Sequence, residues 1–224
     1  MNGLARAMMA AALPAAPPLL TLPSTGRLAA FDARNTISVD GGITCSTWPD
    51  VSGNGWHAWQ GAAGNRPTIS TADGYASLLF NGTNSSLLVP SITASAGVRT
   101  VYAVVKPTTM RGIFDTQTGR LYVGAAGDTH RIYDTGFRDT GVSVSTSRQR
   151  VAYEINGGTF TFRRNGTSLA SIACGANTAV GGAVRIGSDY SGAAVTNGHI
   201  LFLAVYNAAH NTAVEAWETQ EFGV

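Results

Sequence analysis

Two hairpin signals, one strand apart, constrain the architecture of this chain more than any other feature. Asn156-Gly157-Gly158 joins the run VAYEI to TFTFRR, and Asn165-Gly166 joins TFTFRR to TSLASIA. Asn and Gly tolerate the positive φ angles that two-residue hairpin turns require, so three consecutive antiparallel strands follow. In the middle run Phe160 and Phe162 alternate with Thr159, Thr161 and Arg163, which marks one buried and one solvated face. From Arg27 onward the same grammar recurs: short runs rich in Val, Ile, Thr, Tyr and Phe, cut by clusters of Gly, Asn, Asp and Ser. It predicts strands over 27–31, 76–80, 86–89, 98–106, 111–115, 120–124, 130–134, 150–156, 159–164, 168–173, 183–187 and 199–206, the spacing of a two-sheet sandwich. One helix is predicted near the end. Asn211 is its N-cap, Val214, Trp217 and Phe222 form its apolar face, and Gly223 is its stop.

The composition suits that architecture. With 27 Gly in 224 residues, 44% hydrophobic and 12% charged residues, the chain is turn-rich, sparing in charge and apolar enough for one large all-β domain. Disorder and coiled coil are excluded. A net charge of +2 without a block of either sign lacks the footprint of nucleic-acid binding. Cys45 and Cys174 allow one disulfide at most and read as free thiols. Pro14, Pro17, Pro18 and Pro23 interrupt the sole candidate for a membrane-spanning helix, so none is expected.

Residues 1–25 differ from the rest, being rich in Ala, Leu, Met and Pro with Arg6 as the single charge. Leu4, Met8, Met9, Leu13, Leu19 and Leu20 make this segment too apolar to stand alone in water. It is expected to be a retained arm, a short helix and then a Pro-rich strap, docked on a neighbouring subunit or on its own body. A cleaved leader is the alternative, with small residues at Ala15 and Ala16 but prolines crowding its apolar stretch. The division is thus an arm over 1–25 and a sandwich over 26–224.

The run Thr47-Trp48-Pro49-Asp50-Val51-Ser52-Gly53-Asn54-Gly55, followed by Ala58, Gln60 and Arg66-Pro67, resembles the signature of concanavalin A-like, laminin G-like domains. The resemblance continues through Leu79-Phe80-Asn81-Gly82, Val101 to Pro107, Phe162 to Thr167, Val184-Arg185-Ile186-Gly187, and Gly198 to Asn207 with the helix after it. Leu203 stands where members commonly carry Glu. The resemblance implies an all-β, two-sheet antiparallel jelly-roll sandwich. Calcium, bound by part of that group, would find oxygens at Asp50, Asn54 or Asp189, although their spacing matches no calcium loop.

Glycosidases on this sandwich use a strand carrying Glu-x-Asp-x-x-Glu. The four glutamates here are Glu154, with no second acid nearby, and Glu215, Glu218 and Glu221 in the predicted helix. No other catalytic motif occurs and His57, His130, His199 and His210 are isolated, so no enzyme and no metal centre are expected. The binding candidates are Trp56 and Trp59, whose rings would stack on sugars, with Asn54 and His57 beside them. Competing with that role, Trp48 and one of Trp56 and Trp59 should fill the core, and Asp50 should tie the turn at Ser52, Gly53, Asn54 and Gly55 by accepting backbone N–H bonds. Modules resembling this family are common in phage particles. The functional expectation is therefore a non-enzymatic virion component, a capsid decoration, head spike or tail-associated protein. Its arm would anchor it to other virion proteins or to copies of itself, and its sandwich would adhere weakly to host glycans. A secreted lectin-like domain is the alternative.

Overall fold

The computed structural model describes residues 20–93, 97–118, 121–133, 136–175 and 181–224. Its strands are β1 (Arg27–Asp32), β2 (Thr47–Trp48), β3 (Ala58–Trp59), β4 (Thr68–Ala72), β5 (Tyr75–Asn81), β6 (Leu87–Val89), β7 (Arg99–Thr109) and β8 (Gly112–Thr118). They continue with β9 (Tyr122–Ala126), β10 (Thr129–Tyr133), β11 (Phe137–Ser143), β12 (Gln149–Asn156), β13 (Thr159–Arg164), β14 (Thr167–Ala173), β15 (Gly181–Ile186) and β16 (Asn197–Tyr206), and one α-helix, α1 (Asn211–Phe222), follows. The first sheet runs β14-β13-β12-β7-β16-β5-β4, with β1 paired to the later half of β16. The second runs β11-β10-β9-β8-β15-β6-β3-β2. This is the expected antiparallel jelly-roll sandwich.

The hairpins at 157–158 and 165–166 form as their sequences require: Gly157 and Gly158 have φ 55° and 80°, and Asn165 and Gly166 have φ 49° and 82°. Phe160 and Phe162 point into the layer between the sheets, where Phe31 packs on Trp48 with ring centroids 5.5 Å apart. His130 belongs to this core. It stacks on Phe162, its Nδ1 lies 2.7 Å from the Tyr153 hydroxyl, and burial lowers its pKa to about 3.

A second apolar layer lies on the outer face of the first sheet. Tyr102, Phe202 and Tyr206 meet Val214, Trp217 and Phe222 of α1 there. The helix starts one step away from the expected cap. His210 takes the N-cap position without a side-chain cap bond, because the Asn211 amide is engaged by Glu154 and by the Tyr102 hydroxyl. Gly223 closes the helix in the left-handed conformation, as expected. Residues 20–25 continue this layer: Leu22 packs on it, Tyr206 donates to the Pro23 carbonyl, and the Leu20 N–H donates to Gln220 Oε1. Leu4, Met8, Met9, Leu13 and Leu19 of the arm lie outside the described residues. Since α1 covers the first sheet, the outer face of the second is the one that no helix among the described residues covers.

Candidate functional site

The loop between β2 and β3 is held from within by Asp50. Its Oδ1 accepts the N–H groups of Ala30 and Ser52, and its Oδ2 accepts the Ser52 hydroxyl and the Trp56 N–H, all at 2.7–3.0 Å. Burial pushes this carboxyl up, but the bonds from Ala30, Ser52 and Trp56 outweigh it and leave it below the ordinary carboxylate value. Asn54 lashes the loop to β1 by donating to the carbonyls of Arg27 and Leu28, each at 2.9 Å. His57 Nδ1 accepts the Asp50 N–H at 3.0 Å. Trp48 is fully buried and Trp56 packs partly buried against the core. Arg66 braces the next turn through the carbonyls of Gln60 and Gly61, and the Pro67 carbonyl accepts the Cys45 N–H. Cys45 and Cys174 are not joined in a disulfide, and burial raises the Cys45 thiol to about 12.

Trp59 separates from its neighbours in the sequence because strand alternation sends it the other way. Ala58 is fully buried toward the core, whereas Trp59 is 46% exposed on the outer face of the second sheet. Trp59 pairs with Leu88, Leu88 with Arg185, and Arg185 with Asp115, so these four residues form a row across β3, β6, β15 and β8. The row continues through Tyr122 and Tyr133 to Phe137, whose ring receives the Arg131 guanidinium at 4.8 Å. Strand spacing separates Trp59 from Arg185 by about 10 Å along the row.

Beside Arg185 lies a cavity of ≈ 120 Å³ lined by Leu88, Gln117, Ala183, Arg185 and Tyr190. Tyr190, 43% exposed, is carried by the loop after β15, and its N–H donates to Asp115 Oδ2 at 2.9 Å. Gly112 lets that loop cross β8, since a Cβ there would stand 2.4 Å from the Ser188 carbonyl carbon. Asp189 secures the loop by accepting the N–H groups of Ala193 and Ala194. Asp50 and Asp189, both named above as calcium donors, thus hold their own loops, and the described residues contain no cluster of three metal-ligating side chains.

The glutamates sit on the opposite, α1-covered side. Glu154 accepts from Asn211, Glu215 pairs with Arg163, Glu221 with Arg34, and Glu218 is buried under the helix. Sequence reading finds Trp59 as an aromatic candidate but misses Arg185, Gln117 and Tyr190. The alternation Val184, Arg185, Ile186 signals an outward Arg185, but its pairing with Leu88, 97 positions away, is fixed only by the fold.

No protein-family model matches the chain, and no curated protein does. Solved structures share its fold. Domain 4 of AbnA, a GH43 extracellular arabinanase from Geobacillus stearothermophilus solved with arabinotriose, superposes with TM-score 0.62 at 17% identity, over 85% of this chain and 97% of that one. A GH54 α-L-arabinofuranosidase soaked with a cyclic sulfate inhibitor gives 0.60 at 15% identity, over 78% of this chain and 50% of that one. A structure of botulinum neurotoxin type C, whose cell entry depends on two ganglioside molecules, gives 0.59 at 9% identity, over 87% and 51%. The chain therefore spans about half the length of the last two. At these identities the likeness defines the β-sandwich fold alone.

Proposed function

We propose that this chain is a non-catalytic carbohydrate-binding domain whose ligand lies across the outer face of the second sheet. The observation that carries this reading is the pair of exposed aromatic side chains, Trp59 and Tyr190, on the outer side of the second sheet, beside a cavity lined by Leu88 and Ala183 together with the polar side chains of Gln117 and Arg185. Aromatic faces stack on sugar rings while a few polar groups fix hydroxyls, and this face offers both. The arabinanase domain solved with arabinotriose, and a neurotoxin whose cell entry depends on two ganglioside molecules, share this fold and add support. The location of the glutamates on the α1 side favours binding over hydrolysis.

The finer reading follows from the laminin G-like resemblance. The domain is displayed on a virion by its arm, and weak single contacts to host glycans are multiplied by copy number. A secreted lectin is the other setting in which the same face would serve.

The test is titration calorimetry of the full chain and of Trp59→Ala with the best binder from a glycan array. Affinity is expected to fall at least about tenfold, or ~1.4 kcal/mol, without loss of folding. Undiminished binding by Trp59→Ala would remove this face as the site.

A further inference from the structure

We infer that the saccharide taken by this face is acidic, a sugar bearing a carboxylate or a sulfate ester that Arg185 reads. The inference rests on the carbohydrate reading above and adds the chemical class of the ligand.

A guanidinium presents five N–H donors in a planar fork that matches the two oxygens of an acid group. Among the described residues Arg185 uses one guanidinium nitrogen, donating to Ser86 Oγ at 3.2 Å, and it enters no ion pair. Arg34, Arg131, Arg148 and Arg163 all meet carboxylates. Arg185 is nevertheless held in place, half-buried between the flanking strands, with the loop at Gly192 so close that a Cβ there would lie 3.7 Å from one guanidinium nitrogen. Its cross-strand neighbour Asp115 is fully buried, with Oδ2 held by the Tyr190 N–H, and is not among the residues that line the cavity. The cavity therefore offers a positioned cation with donors to spare, with Gln117 and Tyr190 lining the same space.

The size agrees. A volume of ≈ 120 Å³ is below the roughly 300–1,000 Å³ of sites that enclose a drug-sized molecule, and suits one pendant acid group with its sugar ring left outside. Trp59, two strands and about 10 Å away, would meet a sugar further along the same oligosaccharide rather than the adjoining one.

The experiment is a glycan array of matched neutral, uronic-acid and sulfated oligosaccharides, probed with the full chain, Arg185→Gln, Arg185→Lys and Trp59→Ala, with melting temperatures recorded for each. The expected result is selective binding of the acidic members. It should weaken at least tenfold in Arg185→Gln, on methyl esterification or desulfation of the ligand, and between 50 and 500 mM NaCl (~50 and ~500 mM bracket weak and strong screening). Arg185→Lys should keep the preference at lower affinity. Whether the uronic or the sulfated arm binds identifies the acid group. The salt and esterification readouts use the unaltered protein, so they decide the matter even if a variant fails to fold. Equal binding of neutral and acidic members, or neutral binding indifferent to Arg185→Gln, overturns the acidic assignment and leaves the carbohydrate reading standing. Binding of no glycan in any class overturns both.

Discussion

Asp50 accepts four hydrogen bonds from three residues while only 7% exposed, and through them β1, the Ser52 turn and Trp56 become one unit. A buried carboxylate of this kind is a fastening, and removing it strands the donors that met it. Asp50→Ala should therefore destabilise the protein by about 2–4 kcal/mol in denaturant titration, with glycan affinity per folded molecule unchanged. A loss below about 0.5 kcal/mol would mean that the loop is held by other means. The role of Asp50 as a turn tie was legible because the turn sequence around it predicts N–H groups aimed at one acceptor. The division of labour between Trp56 and Trp59 was half legible: the sequence requires one ring in the core and one elsewhere, but the two-residue β3, with Ala58 in and Trp59 out, decides which.

Among the elements, α1 carries the clearest conflict between burial and charge. Glu218 is 1% exposed and its Oε1 has no partner, while the nearby Arg150 donates to the carbonyls of Glu215 and Val224 instead. Burial raises the Glu218 carboxyl well above its usual value, Arg150 opposes the shift, and Glu215 adds to it. A carboxyl whose folded pKa is raised favours the fold below its unfolded value of about 4.3 and loses that contribution as pH rises. Glu218→Gln should therefore stabilise the protein by about 1–3 kcal/mol at pH 7, with the gain vanishing near pH 4 in thermal melts. A destabilisation at pH 7 would show that the charge is compensated in place. The long strands were legible because their alternation is strong, as in TFTFRR. β2 and β3 are too short to show a period. β4 (TISTA) and β11 (FRDTGVS) are too polar to stand out, their strand character coming from the neighbours they pair with.

On the scale of the whole molecule the two outer faces are covered differently. One is sealed by α1 and by residues 20–25, and the chain from the arm joins the body there, at Leu20 beside Gln220. The other carries Trp59, Arg185 and Tyr190. If the arm acts as proposed, a chain starting at Leu20 should keep its melting temperature and its glycan affinity but lose self-association in sedimentation analysis. A chain starting at Ser24 should lose about 1–2 kcal/mol more because Leu22 leaves the apolar layer. Unfolding on removal of residues 1–19 would instead make them part of the body.

The claim that the outer face of the second sheet is the binding face is tested most directly by mapping amide and indole N–H shifts in NMR spectra as an array-selected glycan is added. Shifts should gather on Trp59, Leu88, Gln117, Arg185 and Tyr190, with the indoles of Trp48 and Trp217 unmoved. Shifts confined to the Asp50–His57 loop or to α1, with the Trp59 indole unchanged, would contradict it.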